Sequence, residues 1–387
     1  MLKVPDHVKK IIPYVPGKPI DELERELGVL GSIKLASNEN PLGPSPLAIE
    51  AVKTVLPMVN LYPDGGGHYL KSALSGLLGV GMENIVLGQG SNELLDIAVR
   101  TFLSPGDETV MADPSFIVYY NSSAKAGGSP IKVALTADHR HDLKAMSGHI
   151  CEKTKIVFIA NPNNPTGTIV SSDEFGEFMD SVPEHVAIIV DEAYHEYVTD
   201  RSYPDTMKYF MREAPVRNIL ILRTFSKIYG LAGLRIGYGI ASGGIVREMD
   251  KVREPFNTSS VAQAAAVAAL RDVDHLDKSL ALNEEGKKFL YGALSDLASD
   301  TSIEYVPTQG NFIYVDLKRD AVKVYDKLLR KGIIVRPMGK TAIRVTIGLK
   351  IENEAFIRSL KEVLIDGHNS FEAECHTEGN RQHNKKT

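Results

Sequence analysis

Short apolar runs alternate with amphipathic stretches through the middle of the chain. The amphipathic stretches at residues 93–102 and 173–180 have the spacing of surface helices. The apolar runs are rich in Val and Ile and predict buried strands at residues 84–87, 108–111, 155–159, 187–190 and 218–222. Strands that alternate with helices predict an α/β fold with a mostly parallel sheet covered on both faces. Such sheets bind their ligands beyond the carboxyl ends of the strands.

The rest of the chain predicts a second, smaller α/β unit. An Ala-rich helix at 261–270 leads out of the first domain. After it we expect strands at 303–306, 311–316, 333–336 and 342–347, with helices near 321–331 and 352–364. The predicted organisation is an N-terminal arm with part of the small domain at 1–45, a large domain at 46–270, a small domain at 271–368 and a disordered polar tail at 369–387.

Composition narrows the class of protein. The formal net charge of −5 is unfavourable for a nucleic-acid-binding protein, which usually carries a basic surface. The two cysteines, Cys151 and Cys375, have no spaced partners that would indicate a disulfide framework, so neither disulfides nor a metal site are expected. The amino terminus lacks a signal-peptide core and no apolar run is long enough to cross a bilayer, so we expect a cytoplasmic protein without membrane contact.

The first candidate for chemistry is a lysine just after the strand at 218–222. Lys227 follows Ser226 directly, and Arg235 comes eight residues later in a glycine-rich segment. A lysine at the mouth of a sheet can form an imine with an aldehyde cofactor, and the serine and arginine can both bind one phosphate. On its own such a lysine is more often a solvated loop residue, so its interpretation depends on the neighbouring motifs.

The second candidate is Asp191, which stands where the apolar strand at 187–190 leaves the core. A carboxylate there can pair with a protonated pyridine nitrogen and keep the ring an electron sink. Tyr194, three residues further on, can form a hydrogen bond with the phenolic oxygen of such a ring. Capping of a helix is an equally plausible role for Asp191.

Two further turns follow predicted strands. The turn at 161–167 contains two prolines and a glycine, so it is stiff and holds an asparagine amide in place. The turn at 88–92 leads into a helix whose free N–H groups can bind a phosphate next to Ser91 and Asn92. These two residues also suit a simple helix cap, which uses the same geometry.

Two residues lie further along the chain. Phe116 can stack on an aromatic cofactor or belong to the core. Arg344 stands in the otherwise apolar strand at 342–347, and a buried charge of this kind needs an anionic partner. That partner is either a substrate carboxylate or phosphate, which we favour, or a structural salt bridge.

In this order, the motifs resemble the fold type I aminotransferases, which depend on pyridoxal 5'-phosphate (PLP). More narrowly, the segments 13–19, 35–41 and 62–65 are similar to the family of histidinol-phosphate aminotransferases. The resemblance covers the chain except for its tail. It implies a large PLP-binding domain with a mostly parallel sheet, a smaller α/β domain, and a homodimer in which Tyr62 reaches the phosphate site of the neighbouring subunit.

The resemblance also implies a role for each matched residue. Lys227 would hold PLP covalently and move the substrate proton, while Asp191 would keep the ring nitrogen protonated. The other implied cofactor contacts are Ser91, Asn92, Phe116, Asn164, Tyr194, Ser226, Arg235 and, from the neighbouring subunit, Tyr62. The implied substrate contacts are Tyr14, Asn38, Asn164, Arg336 and Arg344.

The implied reaction transfers the amino group of glutamate, by way of PLP, to imidazole-acetol phosphate, which gives histidinol phosphate for histidine biosynthesis. An aminotransferase for phenylalanine or tyrosine is the main alternative, and a threonine-phosphate decarboxylase is another. A nicotinamide oxidoreductase is disfavoured, because the turn at 88–90 lacks the third glycine of the dinucleotide motif and such an enzyme gives Lys227 no role.

Overall fold

The computed structural model describes residues 2–9, 11, 13, 17–211 and 218–381, with side chains described up to residue 365. The chain divides into two compact units. The larger unit comprises Glu39–Ala281 and Val306–Asn311 with the described residues of Met1–Tyr14, and the smaller one comprises Leu282–Tyr305 with the described residues of Val15–Asn38 and Phe312–Thr387. The predicted domain boundaries lie between residues 45 and 46 and between residues 270 and 271. The corresponding divisions between the compact units lie between residues 38 and 39 and between residues 281 and 282.

The helices and strands are numbered along the chain. The α-helices of the described residues are α1 (Asp6–Lys9), α2 (Ile20–Leu27), α3 (Pro46–Val55), α4 (His68–Leu78), α5 (Ser91–Phe102), α6 (Ile117–Lys125), α7 (Leu143–Gly148), α8 (Ser172–Ser181), α9 (Met207–Phe210), α10 (Gly243–Val252), α11 (Ser260–Ala269), α12 (Val273–Thr301), α13 (Ala321–Arg330) and α14 (Lys350–Arg381). The strands there are β1 (Ile33–Lys34), β2 (Ile85–Gly88), β3 (Glu108–Asp113), β4 (Ser129–Ala134), β5 (Thr154–Ala160), β6 (Ala187–Asp191), β7 (Asn218–Thr224), β8 (Gly237–Ala241), β9 (Glu304–Val306), β10 (Phe312–Asp316), β11 (Ile333–Ile334), β12 (Arg336–Met338) and β13 (Ala342–Thr346).

The larger unit is built on a seven-stranded sheet in the order β2-β8-β7-β6-β5-β3-β4. Neighbouring strands from β7 to β4 pair in parallel, and β8 is antiparallel to both β2 and β7. This arrangement confirms the α/β fold with a mostly parallel sheet that the sequence predicted. Each of the five strands predicted here is present, and no strand end differs from its predicted position by more than two residues.

Helices cover both faces of this sheet. Alternate residues of each strand point to opposite sides, so each strand contributes to two separate cores. Val157 and Ile159 of β5 pack with Phe175 of α8 and with residues of α4 and α11 on one side. Ile156 and Phe158 of the same strand belong to a second core, with residues of α5, α6 and α10. The sheet is therefore held between two helical layers. Residues at the ends of its strands are positioned by this packed core.

The smaller unit contains two sheets, one of four strands in the order β12-β13-β10-β9 and one parallel pair, β1 with β11. Its core joins residues of α12, α13 and α14 to these strands. The single strand predicted at 333–336 is two short strands, β11 and β12, which belong to different sheets. The last helix continues to Arg381, into the stretch predicted from residue 369 as a disordered tail, and residues 382–387 lie outside the described part.

None of the helices in the described part of the chain combines the length and the apolar character that a membrane crossing requires.

Candidate active site

Three neighbouring parallel strands end side by side at one edge of the larger sheet. Ala160 at the end of β5 lies opposite Asp191 at the end of β6, and Asp191 lies opposite Leu222 of β7. The turn at 161–167 and the loop that contains Lys227 therefore start at the same edge as Asp191. This is the edge at which parallel sheets bind their ligands.

Lys227, Tyr194 and Asn164 come together at this edge. The Nζ atom of Lys227 lies 5.6 Å from the centre of the Tyr194 ring. The amide nitrogen Nδ2 of Asn164 donates a hydrogen bond of 3.5 Å to the Tyr194 hydroxyl. Lys227 is also close enough to Asp191 for its positive charge to lower the pKa of that carboxyl group. The structure thus brings together four residues that were predicted from three separate motifs.

Asp191 is a buried carboxyl group, 5% exposed. Burial raises its pKa to about 6, against the hydrogen bonds and the nearby ammonium group, which lower it. Its Oδ1 accepts a hydrogen bond of 3.2 Å from the N–H of Ala193, while the next helix, of 3-10 type, begins only at His195 with Tyr194 as its N-cap. Asp191 is therefore a strand-end carboxylate, and the alternative of a helix cap does not hold.

Tyr119 is a site residue that the sequence analysis missed. Its hydroxyl donates a hydrogen bond of 2.9 Å to Oδ2 of Asp191. The ring stacks on Phe158 at 4.9 Å and meets the edge of Phe116 at 5.7 Å. Tyr119 follows Phe116 by three residues, which is about one helical turn, and that spacing in α6 was the available signal.

A cradle for an anion lies beside these residues, where β2, β8 and β7 meet. Gly237 pairs with both Gly88 and Thr224. A Cβ atom on Gly237 would lie 2.9 Å from the backbone nitrogen of Ser91, so only glycine allows this close approach. The guanidinium group of Arg235 donates to the carbonyl oxygen of Gln89 at 3.2 Å, which holds it next to the start of α5.

The start of α5 differs from the prediction in one detail. The sequence placed Ser91 or Asn92 as a possible helix cap, whereas the N-cap is Gly90, which has no side chain to bind the first N–H groups. Ser91 is buried in the first turn and Asn92 is exposed. Ser226 lies on the β7 side, where its Oγ accepts a hydrogen bond of 3.0 Å from Thr224. These N–H groups, hydroxyls and the guanidinium group suit a phosphate.

A buried ion pair fixes the strand ends behind the site. Nε and Nη2 of Arg223 both lie 2.8 Å from Oε2 of Glu192, the residue after Asp191. Thr206 donates to the other carboxylate oxygen of Glu192 at 2.6 Å. Since Glu192 is 1% exposed and fully paired, it anchors the end of β6 to β7 and keeps Asp191 in place.

Tyr62 lies on the surface of the larger unit. Its side chain is 84% exposed, and its ring stacks on Phe256 with 4.9 Å between the ring centres. The predicted role of Tyr62 at the phosphate site of a second subunit stays a prediction.

The remaining predicted substrate residues belong to the smaller unit, except Tyr14, which lies outside the described residues. Arg344 of β13 is 9% exposed, donates to the carbonyl oxygen of Ala36 at 2.6 Å and lies over the ring of Phe312 at 5.4 Å. Arg336 of β12 is its direct cross-strand neighbour. Asn38 is buried, and its backbone N–H donates to Thr346 at 2.9 Å.

The residues at the sheet edge fit PLP. The cofactor needs an amine for its aldehyde, a carboxylate for its ring nitrogen and donors for its phosphate. Lys227, Asp191 and the cradle at the start of α5 supply these three kinds of group within one unit. The arrangement therefore identifies the protein as a member of the class of PLP-dependent enzymes.

Comparison with known families agrees with this class. The sequence model of the family described as "Aminotransferase class I and II" matches residues 31–360. The chain therefore belongs to this family of PLP-dependent aminotransferases.

Individual relatives define the branch of the family. The chain is 50% identical over 366 residues to the histidinol-phosphate aminotransferase of Moorella thermoacetica, which covers 94% of this chain and 93% of that protein. It is 47% identical over 361 residues to that of Caldicellulosiruptor saccharolyticus, with 92% and 99% covered. The structure is similar to the Sinorhizobium meliloti histidinol-phosphate aminotransferase solved in complex with PLP, with a TM-score of 0.85, 28% identity and coverage of 95% and 98%. Its branch is that of the histidinol-phosphate aminotransferases.

Proposed function

We propose that this enzyme transfers an amino group between glutamate and imidazole-acetol phosphate, with histidinol phosphate and 2-oxoglutarate as the products, in histidine biosynthesis. The observation that carries the proposal is the meeting of Lys227 and Asp191 at one edge of the parallel sheet. The substrate assignment is supported by the relatives of this name, which are 43–50% identical over more than nine tenths of the chain.

The site residues of the larger unit each have a proposed part in this reaction. When bound, PLP supplies an aldehyde that accepts the amino group and a ring that withdraws electrons. Lys227 would hold the aldehyde and, when free, would carry the proton at the substrate Cα. The Asp191 carboxylate would hold a proton on the ring nitrogen, and Tyr194 with Asn164 would bind the ring hydroxyl. Ser91, Asn92, Ser226 and Arg235 would bind the phosphate, and Phe116 would lie against the ring.

Arg344 and Arg336 are the proposed anion-binding residues, with Asn38 and Tyr14 as further substrate contacts. The two arginines lie directly opposite each other on paired strands, so two positive charges are concentrated at one place in the smaller unit. The planar guanidinium group matches both carboxylate and phosphate. The same arginines therefore suit glutamate in one half of the reaction and a phosphorylated substrate in the other.

The substrate is tested with purified holoenzyme and 2-oxoglutarate, by comparison of histidinol phosphate, histidinol without phosphate, and phenylalanine. We expect kcat/KM for histidinol phosphate to exceed the other two by roughly 100-fold, because its phosphate can pair with both arginines, whereas histidinol has no anionic group and the phenylalanine carboxylate needs only Arg344. A preference for phenylalanine would instead identify an aromatic aminotransferase.

The same panel applied to Arg344→Leu tests the shared anion site. We expect kcat/KM to fall by roughly 100-fold for glutamate and for histidinol phosphate together. Arg330→Leu, in which an exposed arginine of α13 is lost, is the control and should change neither value. Because Arg344 also donates to Ala36, thermal unfolding of each variant is compared as well. A fall in kcat/KM for only one of the two substrates would show that they do not share Arg344 as an anion-binding residue.

We also propose that the enzyme is a cytoplasmic homodimer in which Tyr62 completes the partner's phosphate site. Apolar side chains between residues 56 and 69 are exposed by about half or more, which is typical of an interaction surface. Light scattering should give twice the mass of one chain, and Leu61→Glu should shift it towards the monomer with loss of activity. Ile351→Glu, at an apolar side chain of the smaller unit that is 71% exposed, should not. A fully active monomer contradicts the dimer.

A further inference from the structure

The Tyr119 side chain is held by contacts on several sides. It is 1% exposed, its ring lies nearly parallel to that of Phe158, and the interplanar angle is 7°. Its carbonyl oxygen accepts a hydrogen bond of 2.8 Å from Ser123, whose hydroxyl accepts one of 2.9 Å from Thr109 in β3. The position of the Tyr119 hydroxyl is therefore determined by the sheet and by α6, independently of any ligand.

This hydroxyl can act only as a donor towards Asp191. Burial and the Asp191 charge raise the pKa of Tyr119 well above its ordinary value, so the phenol stays protonated. Oδ2 of Asp191 accepts from Tyr119, and Oδ1 accepts from the Ala193 N–H. An ionised carboxylate has about four lone-pair sites, so acceptor capacity is left for a ring N–H.

We propose that Tyr119 is a positioning residue that keeps Asp191 ionised and oriented, and thereby sets the lower pH limit at which the site binds a pyridinium ring. This inference rests on the proposed PLP-dependent function and adds a residue to it. Tyr119 acts through Asp191 and needs no contact with the cofactor.

The charges around Asp191 explain why one hydroxyl matters. Glu192 raises the pKa of Asp191, while Lys227 from the loop after β7 lowers it. Tyr194 lies near Tyr119, and Tyr203 lies near Asp191, where burial raises the pKa of the Tyr203 phenol well above its ordinary value. Among the groups that lower this pKa, the Tyr119 hydroxyl has the largest effect. Its removal raises the pKa of Asp191 above about 6, so the carboxylate is lost at a higher pH.

The test uses the apoenzyme and pyridoxamine 5'-phosphate, which has an amine in place of the aldehyde and cannot bond covalently to Lys227. Its dissociation constant is measured by calorimetry between about pH 5 and 9 for the wild type and for Tyr119→Phe. Phenylalanine retains the ring that stacks on Phe158, and circular dichroism checks the fold. We expect the acid limb of binding to move up by roughly one pH unit, so that the variant binds about tenfold more weakly at low pH and equally well near pH 8.

Two further variants define the controls. Tyr120→Phe removes a hydroxyl from the neighbouring residue of α6, whose ring lies under Lys132, and should bind as the wild type does at every pH. Asp191→Asn should lose the limb that depends on Asp191 and retain only the limb of the ligand phosphate. Superimposable curves for the wild type and Tyr119→Phe, or an equal shift in Tyr120→Phe, would remove the role of Tyr119. A wild-type apoenzyme that does not bind the ligand at any pH would overturn the proposed function itself.

Discussion

The Lys227→Ala enzyme should neither hold the cofactor covalently nor transfer an amino group. Lys227 places its amine 5.6 Å from the Tyr194 ring at the edge that Asp191 shares, and alanine leaves no nucleophile there for the aldehyde. The substitution also removes the group that would carry the substrate proton in the proposed reaction. We expect the visible absorbance of the covalently held cofactor to disappear and the turnover of glutamate to fall by about 10⁴-fold. Absorbance titration with PLP and steady-state rates measure the two effects.

Lys71→Ala is the matched control for this prediction. Lys71 in α4 is half-buried, and burial lowers the pKa of its amine, which favours the neutral, reactive form. If any accessible amine could hold the aldehyde, Lys71 would be a strong competitor for it. We expect its loss to change neither absorbance nor turnover. Substantial turnover in Lys227→Ala, or an equal loss in Lys71→Ala, contradicts the assignment of Lys227.

The strands that the sequence predicted correctly share one physical property. In β5, β6 and β7, nearly every residue is buried on one face or the other, so each appears as an unbroken run of Val, Ile, Leu and Phe. Such runs carry the sheet that positions the site, and for this reason the fold was predictable.

The two strands of this sheet that the sequence analysis missed have weaker patterns. β4 lies at the sheet edge, is mostly half-exposed or exposed and includes Pro130. β8 is fully buried but contains Gly237 and Gly239, which the close approach of Ser91 and of the Val86 and Leu220 side chains requires. In β8 the packing selects glycine over residues of high strand propensity, so propensity fails there.

The site could be predicted as far as its residues follow strand ends. Asp191 ends a buried strand, Lys227 and Asn164 follow one within a few residues, and the parallel sheet brings their segments to one edge. Tyr119 follows no such run. It reaches Asp191 from the first turn of α6, across the face of the sheet, through a contact between residues 72 positions apart. The three-residue spacing from Phe116 indicates a shared face of the helix but does not identify Asp191 as the partner, since that contact depends on how the helix packs.

Lys227 and Asp191 perform separable parts of one reaction. In the proposed reaction the amine would form and break bonds, whereas the carboxylate would act on the ring nitrogen by its charge. Loss of the first should therefore alter both the spectrum and the rate, and loss of the second should alter mainly the rate. Paired substitutions at these positions can distinguish a PLP enzyme from a protein that merely binds PLP.

Asp191→Asn should retain the covalently held cofactor but transfer amino groups roughly 100- to 1000-fold more slowly. Asparagine has nearly the shape of aspartate. Its amide oxygen can still accept from the Ala193 N–H, and the Tyr119 hydroxyl can rotate to accept from its amide nitrogen, so the fold and the lysine should be undisturbed. It carries no charge to hold a proton on the ring nitrogen, and the ring becomes a poorer electron sink. Stopped-flow absorbance of the half-reaction with glutamate separates the rate of proton transfer from binding.

Asp113→Asn supplies a control of the same chemical kind at the same sheet edge. Asp113 is the last residue of β3, as Asp191 is of β6, but its side chain is 52% exposed and lies 3.4 Å from Lys132. A surface ion pair of this type contributes at most about 1 kcal/mol, so the rate should change by less than about twofold. The two aspartates both end a strand of the sheet, but only Asp191 is buried beside Lys227. A slower rate in Asp191→Asn alone would therefore be due to that buried position. A near-normal rate in Asp191→Asn, or an equal loss in Asp113→Asn, would show that this carboxylate does not act on the ring.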